Sequence, residues 1–221
     1  MWGDPIAASI VAVVGSQGDL GRQLVSLLRD TGAQLLLRDT SDVASASMEH
    51  IMESADVIHF CIPAHHVPKI PSRRSAQLVI LHDSVMQSSN RVKKVSGVAV
   101  HMLMNDQKRV VIDQNNPQAM RAWTHFRDLG QRPMTMSAND HDRMIARTQA
   151  PLVLLMKVLL DDLRTWHSQC LLTPSSVELL RSLERRSINW TESTINSILK
   201  NPELAELIKD LNHTQQRRSK V

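Results

Sequence analysis

The chain has 221 residues, a hydrophobic share of 42% and a formal net charge of +4, enough for one domain of ordinary size, a smaller second one, and a real core. Two phenylalanines, four tryptophans and no tyrosine argue against a nucleic-acid-binding role, which needs rings for base stacking. The longest apolar segment, Pro151 to Leu160, carries Lys157 and is too short to cross a bilayer.

The modest positive charge suits a small anionic substrate. Cys61 and Cys170 stand far apart and in no metal-ligand spacing, so no metal site and a reducing, cytoplasmic setting are expected. The apolar run near the start follows Asp4 and Pro5 rather than a basic stretch, unlike a signal peptide. Arg217-Arg218-Ser219-Lys220 reads as a solvated tail.

In chain order, the first informative stretch is Ile10-Val11-Ala12-Val13-Val14-Gly15-Ser16-Gln17-Gly18-Asp19-Leu20-Gly21-Arg22. Small and β-branched residues end in a glycine cluster, and Leu20, Leu24, Leu27 and Leu28 follow at helical spacing. This order predicts the strand, turn and helix of a dinucleotide-binding βαβ unit. The turn must bring N–H groups against a pyrophosphate without Cβ atoms in the way, and the helix N-terminus then faces the negative charge. Ser16 stands where a strict G-x-G-x-x-G would begin. A left-handed Ser16 would cost about 1–2 kcal/mol, so a serine in an ordinary conformation is expected.

Thr31-Gly32 stops the helix, and Gln34 to Leu37 reads as the second strand. Asp39 follows, about 20 residues past the turn, where a carboxylate accepts hydrogen bonds from an adenosine ribose. That carboxylate favours NAD, while the adjacent Arg38 keeps NADP open. A short helix over 47–54 precedes a buried strand from Val57 to Ile62, which Pro63 terminates. Its continuous apolar character suits a parallel sheet covered on both faces. His59 inside it reads as a core or sheet-edge residue. The cofactor-contact set is therefore read as Gly15, Ser16, Gln17, Gly18, Asp19 and Leu20, with Asp39 and Pro63 at the carboxyl edge of the sheet. His65 and His66 beyond it have no thiol or paired carboxylate to complete a metal site.

Further strands are expected over 77–81, 97–100, with His101 at the end, 109–112 and 133–136. Helices are expected over 88–94 and from Pro117, at a first-turn position, to Phe126. From Ser137 the pattern turns helical. Met144, Ile145, Thr148, Leu152, Leu155, Met156, Leu159 and Leu163 mark one long apolar stripe, followed by helices over 175–190, 191–199 and 202–211. Helices this apolar need partners, and pairing with a second copy is the simplest source. Asp142 stands where an acid meets the positive end of its helix. The fold class is thus α/β: a Rossmann-type doubly wound sheet over 1–137, followed by a smaller all-helical substrate and dimerisation domain over 138–221.

The glycine turn, the Ser84-Val85 step, His101 and the segment Ser137-Ala138-Asn139-Asp140-His141-Asp142-Arg143-Met144 resemble prephenate dehydrogenase in order and spacing, over most of the chain. The resemblance implies NAD(P)-dependent oxidative decarboxylation of prephenate, or of arogenate, in tyrosine biosynthesis, by a homodimer that pairs through its helical domain. It implies that His101 is the catalytic histidine, hydrogen-bonded to the ring hydroxyl while hydride leaves that carbon. Ser84 resembles the serine beside it, and His141 the histidine near the substrate at the start of the helical half. An imidazole with an ordinary pKa of about 6.5 suits proton acceptance near pH 7. The chain departs from the family pattern at Met86, where a lysine is common, at Met102, where proline is usual, and at Asn201-Pro202, where an acid precedes proline. These departures leave a second reading open, a divergent member that binds dinucleotide but acts on another substrate or is non-catalytic. The guanidinium for a substrate carboxylate stays open among Arg143, Arg147, Arg185 and Arg186, with Asn196 and Lys200 nearest the expected place.

Overall fold

A computed structural model describes residues 9–42, 45–68, 76–87, 97–103, 107–168, 173–187 and 192–209. The helix expected over 88–94, Met104 to Asp106, Cys170 and the basic tail lie outside them. The chain divides into two compact units, Met1–Asn139 and Asp140–Val221.

The first unit holds a seven-stranded sheet. Its strands are β1 (Ile10–Val14), β2 (Gln34–Arg38), β3 (Val57–Phe60), β4 (Leu78–His82), β5 (Val98–Met102), β6 (Arg109–Asp113) and β7 (Arg132–Met136). The spatial order is β2-β1-β3-β4-β5-β6-β7. The first five strands are mutually parallel, β6 is antiparallel to β5, and β7 is parallel to β6. Winding reverses direction between β1 and β3, which is where open α/β sheets leave a crevice at their carboxyl ends.

Period-two alternation divides the strands between two faces. Val11, Val13, Val57, Ile80, Val100 and Ile112 bury one face under α1 (Asp19–Arg29) and α3 (Ala119–Asp128). Ala12, Val14, Ile58, Phe60, Val79 and Leu81 bury the other with Ile51 of α2 (Met48–Ser54). Farther along that second face, Ala99 and Val111 pack with Met86 and Ala138.

Several elements begin or end a few residues from their sequence-based bounds, β3 for instance stopping at Phe60 rather than Ile62. The strand expected to end at His101 runs one residue further, to Met102, where β6 pairs with it, His101 opposite Val111. Helix α3 starts at Ala119 rather than at Pro117. Asn116 holds the chain in a turn ahead of it, its Oδ1 accepting from the Gln118 N–H and its Nδ2 donating to the Gly97 carbonyl.

The second unit consists of α4 (Ala138–Ser168), most of which belongs to it, α5 (Pro174–Ser187), α6 (Glu192–Leu199) and α7 (202–209). Pro151 lies inside α4. Ile145, Ala146, Ala150 and Val153 of α4 pack with Ile198, Leu204 and Leu207, while Leu160 and Leu163 pack with Leu180 of α5. Within the expected apolar stripe, Ile145 and Leu163 are buried, while Leu152 and Leu155 are 49% and 56% exposed; Ala146 and Ala150, outside it, join the packed seam. Among the described residues, no helix is long and apolar enough to cross a membrane.

Candidate functional site

The glycine turn is built by three local constraints. Gly15 takes a left-handed backbone, φ +86°, and a Cβ there would stand 2.7 Å from the Cys61 carbonyl oxygen. Ser16 is buried without left-handed strain; its N–H and that of Gly15 both donate to the Arg38 carbonyl, at 3.2 and 2.8 Å. Helix α1 then starts at Asp19, capped by Gly18, which has no side chain to satisfy the first amides of the helix. The helix's own ladder begins only with the Arg22 N–H donating to the Gly18 carbonyl. The N–H groups of Asp19, Leu20 and Gly21 in the first helical turn lie outside that ladder and are therefore placed to meet an anion.

Asp39 closes the far side of this turn. Its Oδ2 accepts from the Gln17 N–H at 2.9 Å, and its Oδ1 accepts from the Ser41 N–H and hydroxyl. The Gln17 amide, foremost among these donors, holds the Asp39 carboxyl below its usual range. The neighbouring Arg38 guanidinium is turned to the Ala46 carbonyl, at 2.8 Å. At the mouth of the turn, Arg22 bonds both the Gln17 carbonyl and Asp19, offsetting the acid in the first helical turn. An uncapped helix start, glycines with no room for a Cβ and an acid at the end of β2 fit a dinucleotide. Leu20 is partly buried against the α1 face of the core. Pro63 is exposed just past β3, its carbonyl accepting from the His66 N–H.

Ser84 and His101 come together at the same carboxyl edge. The Asp83 N–H donates to the Val100 carbonyl, which sets the Asp83-Ser84 step beside Val100-His101. Asp83 Oδ1 then turns the chain by accepting from the Val85 N–H at 3.2 Å. Both Ser84 and His101 are half-buried. Alternation puts His101 on the face of Ala99 and Val111, away from the α1 and α3 side.

His141 belongs to the second unit, where it is wholly buried. Its Nδ1 donates to Asp142 Oδ1 at 2.8 Å, so the Asp142 carboxylate orients a ring rather than only meeting the helix terminus. Such a bond fixes which nitrogen carries the proton. Sequence reasoning takes Asn201 only as a departure from the family pattern and misses its structural role. This side chain, 2% exposed, donates from Nδ2 to the Asp142 carbonyl at 2.7 Å and accepts on Oδ1 from the Glu203 N–H at 3.0 Å. It caps α7 and ties it to the start of α4. Asparagine directly before proline at a helix start was the available signal. Arg143 lies between Asp140 and Glu203, at 3.7 and 3.5 Å, and Arg147 is exposed. The side chains of Arg185 and Arg186 lie outside the described set.

No family model matches the chain, and no curated protein matches it either. Solved structures do match. Prephenate dehydrogenase from A. aeolicus, in complex with hydroxyphenyl propionate and NAD+, superimposes with a TM-score of 0.70 at 14% identity, over 95% of this chain and 89% of that one. The fold is shared with prephenate dehydrogenases. Synechocystis arogenate dehydrogenase gives 0.63 at 16% identity, over 94% and 90% of the two chains. A semialdehyde dehydrogenase NAD-binding protein from Cupriavidus necator, in complex with calcium and NAD, gives 0.53 at 14% identity, over 92% and 99%.

Proposed function

We propose that this chain is an NAD-dependent dehydrogenase acting on prephenate or arogenate. The observation that carries the reading is the joint placement, at one carboxyl edge, of the uncapped glycine turn, Asp39, Ser84 and His101. The Asp39 carboxylate favours NAD over NADP, since a 2′-phosphate would meet a like charge there, and Arg38 is engaged with Ala46. Gly15 to Leu20 would hold the pyrophosphate, with Pro63 beside them at the end of β3.

NAD, when bound, supplies the hydride acceptor. His101, as a neutral imidazole, accepts the proton of the substrate's ring hydroxyl as that carbon is oxidised to a carbonyl. Ser84 supplies a hydroxyl alongside. Loss of carbon dioxide leaves an aromatic ring, so the protein's work is positioning and proton transfer. His141, oriented by Asp142, is assigned to the substrate in this reading. Isothermal titration should show NAD binding more tightly than NADP, and addition of prephenate or arogenate should generate NADH absorbance. Binding of NAD with no turnover of either substrate would favour the divergent reading instead. Absence of dinucleotide binding would reject both.

The exposed Leu152 and Leu155 of α4 support a homodimer paired through the helical unit, because apolar surface at helical spacing gains from burial. Sedimentation should give twice the chain mass, and Leu155→Glu should give monomers; a monomeric parent protein would reject the pairing.

A further inference from the structure

Three histidines meet inside the first unit, on the face away from His101. His59 of β3, His82 at the end of β4 and His125 in the last turn of α3 are 0%, 7% and 6% exposed. His59 Nδ1 lies 2.9 Å from His82 Nε2, and His59 Nε2 lies 2.9 Å from His125 Nε2. The His59 ring stacks on His82 at a centroid distance of 5.2 Å and is tilted against His125 at 5.0 Å, and Phe126 presents itself edge-on to all three.

The bond pattern dictates the protons. His82 Nδ1 is buried without a partner, and a buried N–H with no acceptor is costlier than an unused lone pair. His82 therefore donates through Nε2 to His59 Nδ1, His59 donates through Nε2 to His125 Nε2, and His125 carries its proton on Nδ1. Every place for another proton is closed. His59 Nδ1 and His125 Nε2 are already accepting, so protonating either breaks a bond. His82 Nδ1 would become a donor aimed at nothing. A single metal ion is not the occupant, since His59 faces its two neighbours with opposite nitrogens.

We propose that His59, His82 and His125 form an acid-sensitive clasp that fastens α3 to β3 and β4 and opens when a proton enters it. The surroundings offer such a charge little. β1 presents Val13 beside His59, β4 presents Ile80 and β5 presents Val100 beside His82. α1 gives Leu24 and Leu28 to the same face, and α3 gives Phe126. Two acids lie near. Asp128, itself paired with Arg127 at 2.7 Å, draws His125 only partly toward the charged form, and Asp83 beyond His82 accepts from Val85. Burial, first among the causes, depresses His82 to about 3 and His125 to about 4, and pushes His59 well below the ordinary histidine value.

The sign follows from that depression. Above pH 6.5 the rings are neutral in both folded and unfolded chain, and the stabilisation is fully present. As pH falls below 6.5 the released rings take up protons and the clasped rings do not, so opening becomes more favourable until about pH 4 for His125 and about pH 3 for His82. Each ring contributes up to tenfold per pH unit, and three approach a thousandfold.

Deuterium exchange of the intact protein between pH 8 and pH 5, corrected for intrinsic rates, tests this. Amides of α3 should lose protection steeply below pH 6.5 while those of β1 keep theirs. The triple variant His59→Leu, His82→Leu, His125→Phe should lose that pH dependence. Should the variant not fold, nitrogen-15 spectra of the parent protein serve, with three neutral rings and a bare His82 Nδ1 expected at pH 6. Protection of α3 unchanged to pH 5, loss of β1 together with α3, or an imidazolium among the three at pH 6 overturns the clasp.

Discussion

Gly21→Ala should abolish dinucleotide binding and lower the stability of the first unit. A Cβ at Gly21 would stand 2.0 Å from the Gly15 carbonyl oxygen, 2.8 Å from its carbon and 2.9 Å from Ser16 Cα. All three are backbone atoms, so no side chain can swing aside. Overpacking costs about 1–3 kcal/mol even where side chains can adjust, and here α1 must move off the turn, displacing the first-turn amides proposed to meet the pyrophosphate. A urea titration should show the stability loss, and calorimetric titration with NAD should show no heat of binding. Gly18→Ala is the control. Its methyl would meet only the Gly15 oxygen, at 3.4 Å, so the fold should persist at nearly the parent midpoint. NAD affinity within about threefold of the parent for Gly21→Ala would remove the turn from the proposed site; a threefold change is well under 1 kcal/mol.

His101→Asn should lower turnover by about 10²–10⁴, the range typical of a lost general acid–base group. Asparagine fills similar space at this half-buried position and leaves the pairing of β5 with β6 in place, so NAD affinity should hold. The informative quantity is kcat under saturating NAD and substrate, followed by NADH absorbance. A change confined to KM would make His101 a binding residue. Turnover equal to the parent would end its catalytic assignment while leaving the cofactor site standing.

The parts of the fold that were legible in the sequence are those specified by neighbours along the chain. Ile10 to Val14, the glycine cluster and the leucines of α1 carry strand, turn and helix signals in order, and Asp39 falls where the second strand of such a unit ends. Asn116 and Asn201 were harder. Each uses both ends of its amide to join segments distant in sequence, and a local pattern reports only the capping half of that. Periodicity marks the large apolar residues of α4, Ile145 and Leu163 among them, but gives little weight to Ala146 and Ala150, which share the packed seam with Ile198 and Leu204. The meeting of the three histidines lay beyond any such reading. His59 stands alone in an apolar run, but His82 is followed by Asp83 and Ser84 and His125 lies between Thr124 and Arg127, and only the winding of β3, β4 and α3 sets them in line.

Pro151 leaves the long helix one backbone hydrogen bond short. Proline lacks the N–H that would bond the carbonyl four residues back, and its ring crowds that same carbonyl. Contact with α6 and α7 nonetheless runs straight across it, from Ile145 to Val153, before Leu160 and Leu163 turn to α5. The gap in the backbone ladder is therefore bridged by side-chain packing, and the helix continues through it to Ser168.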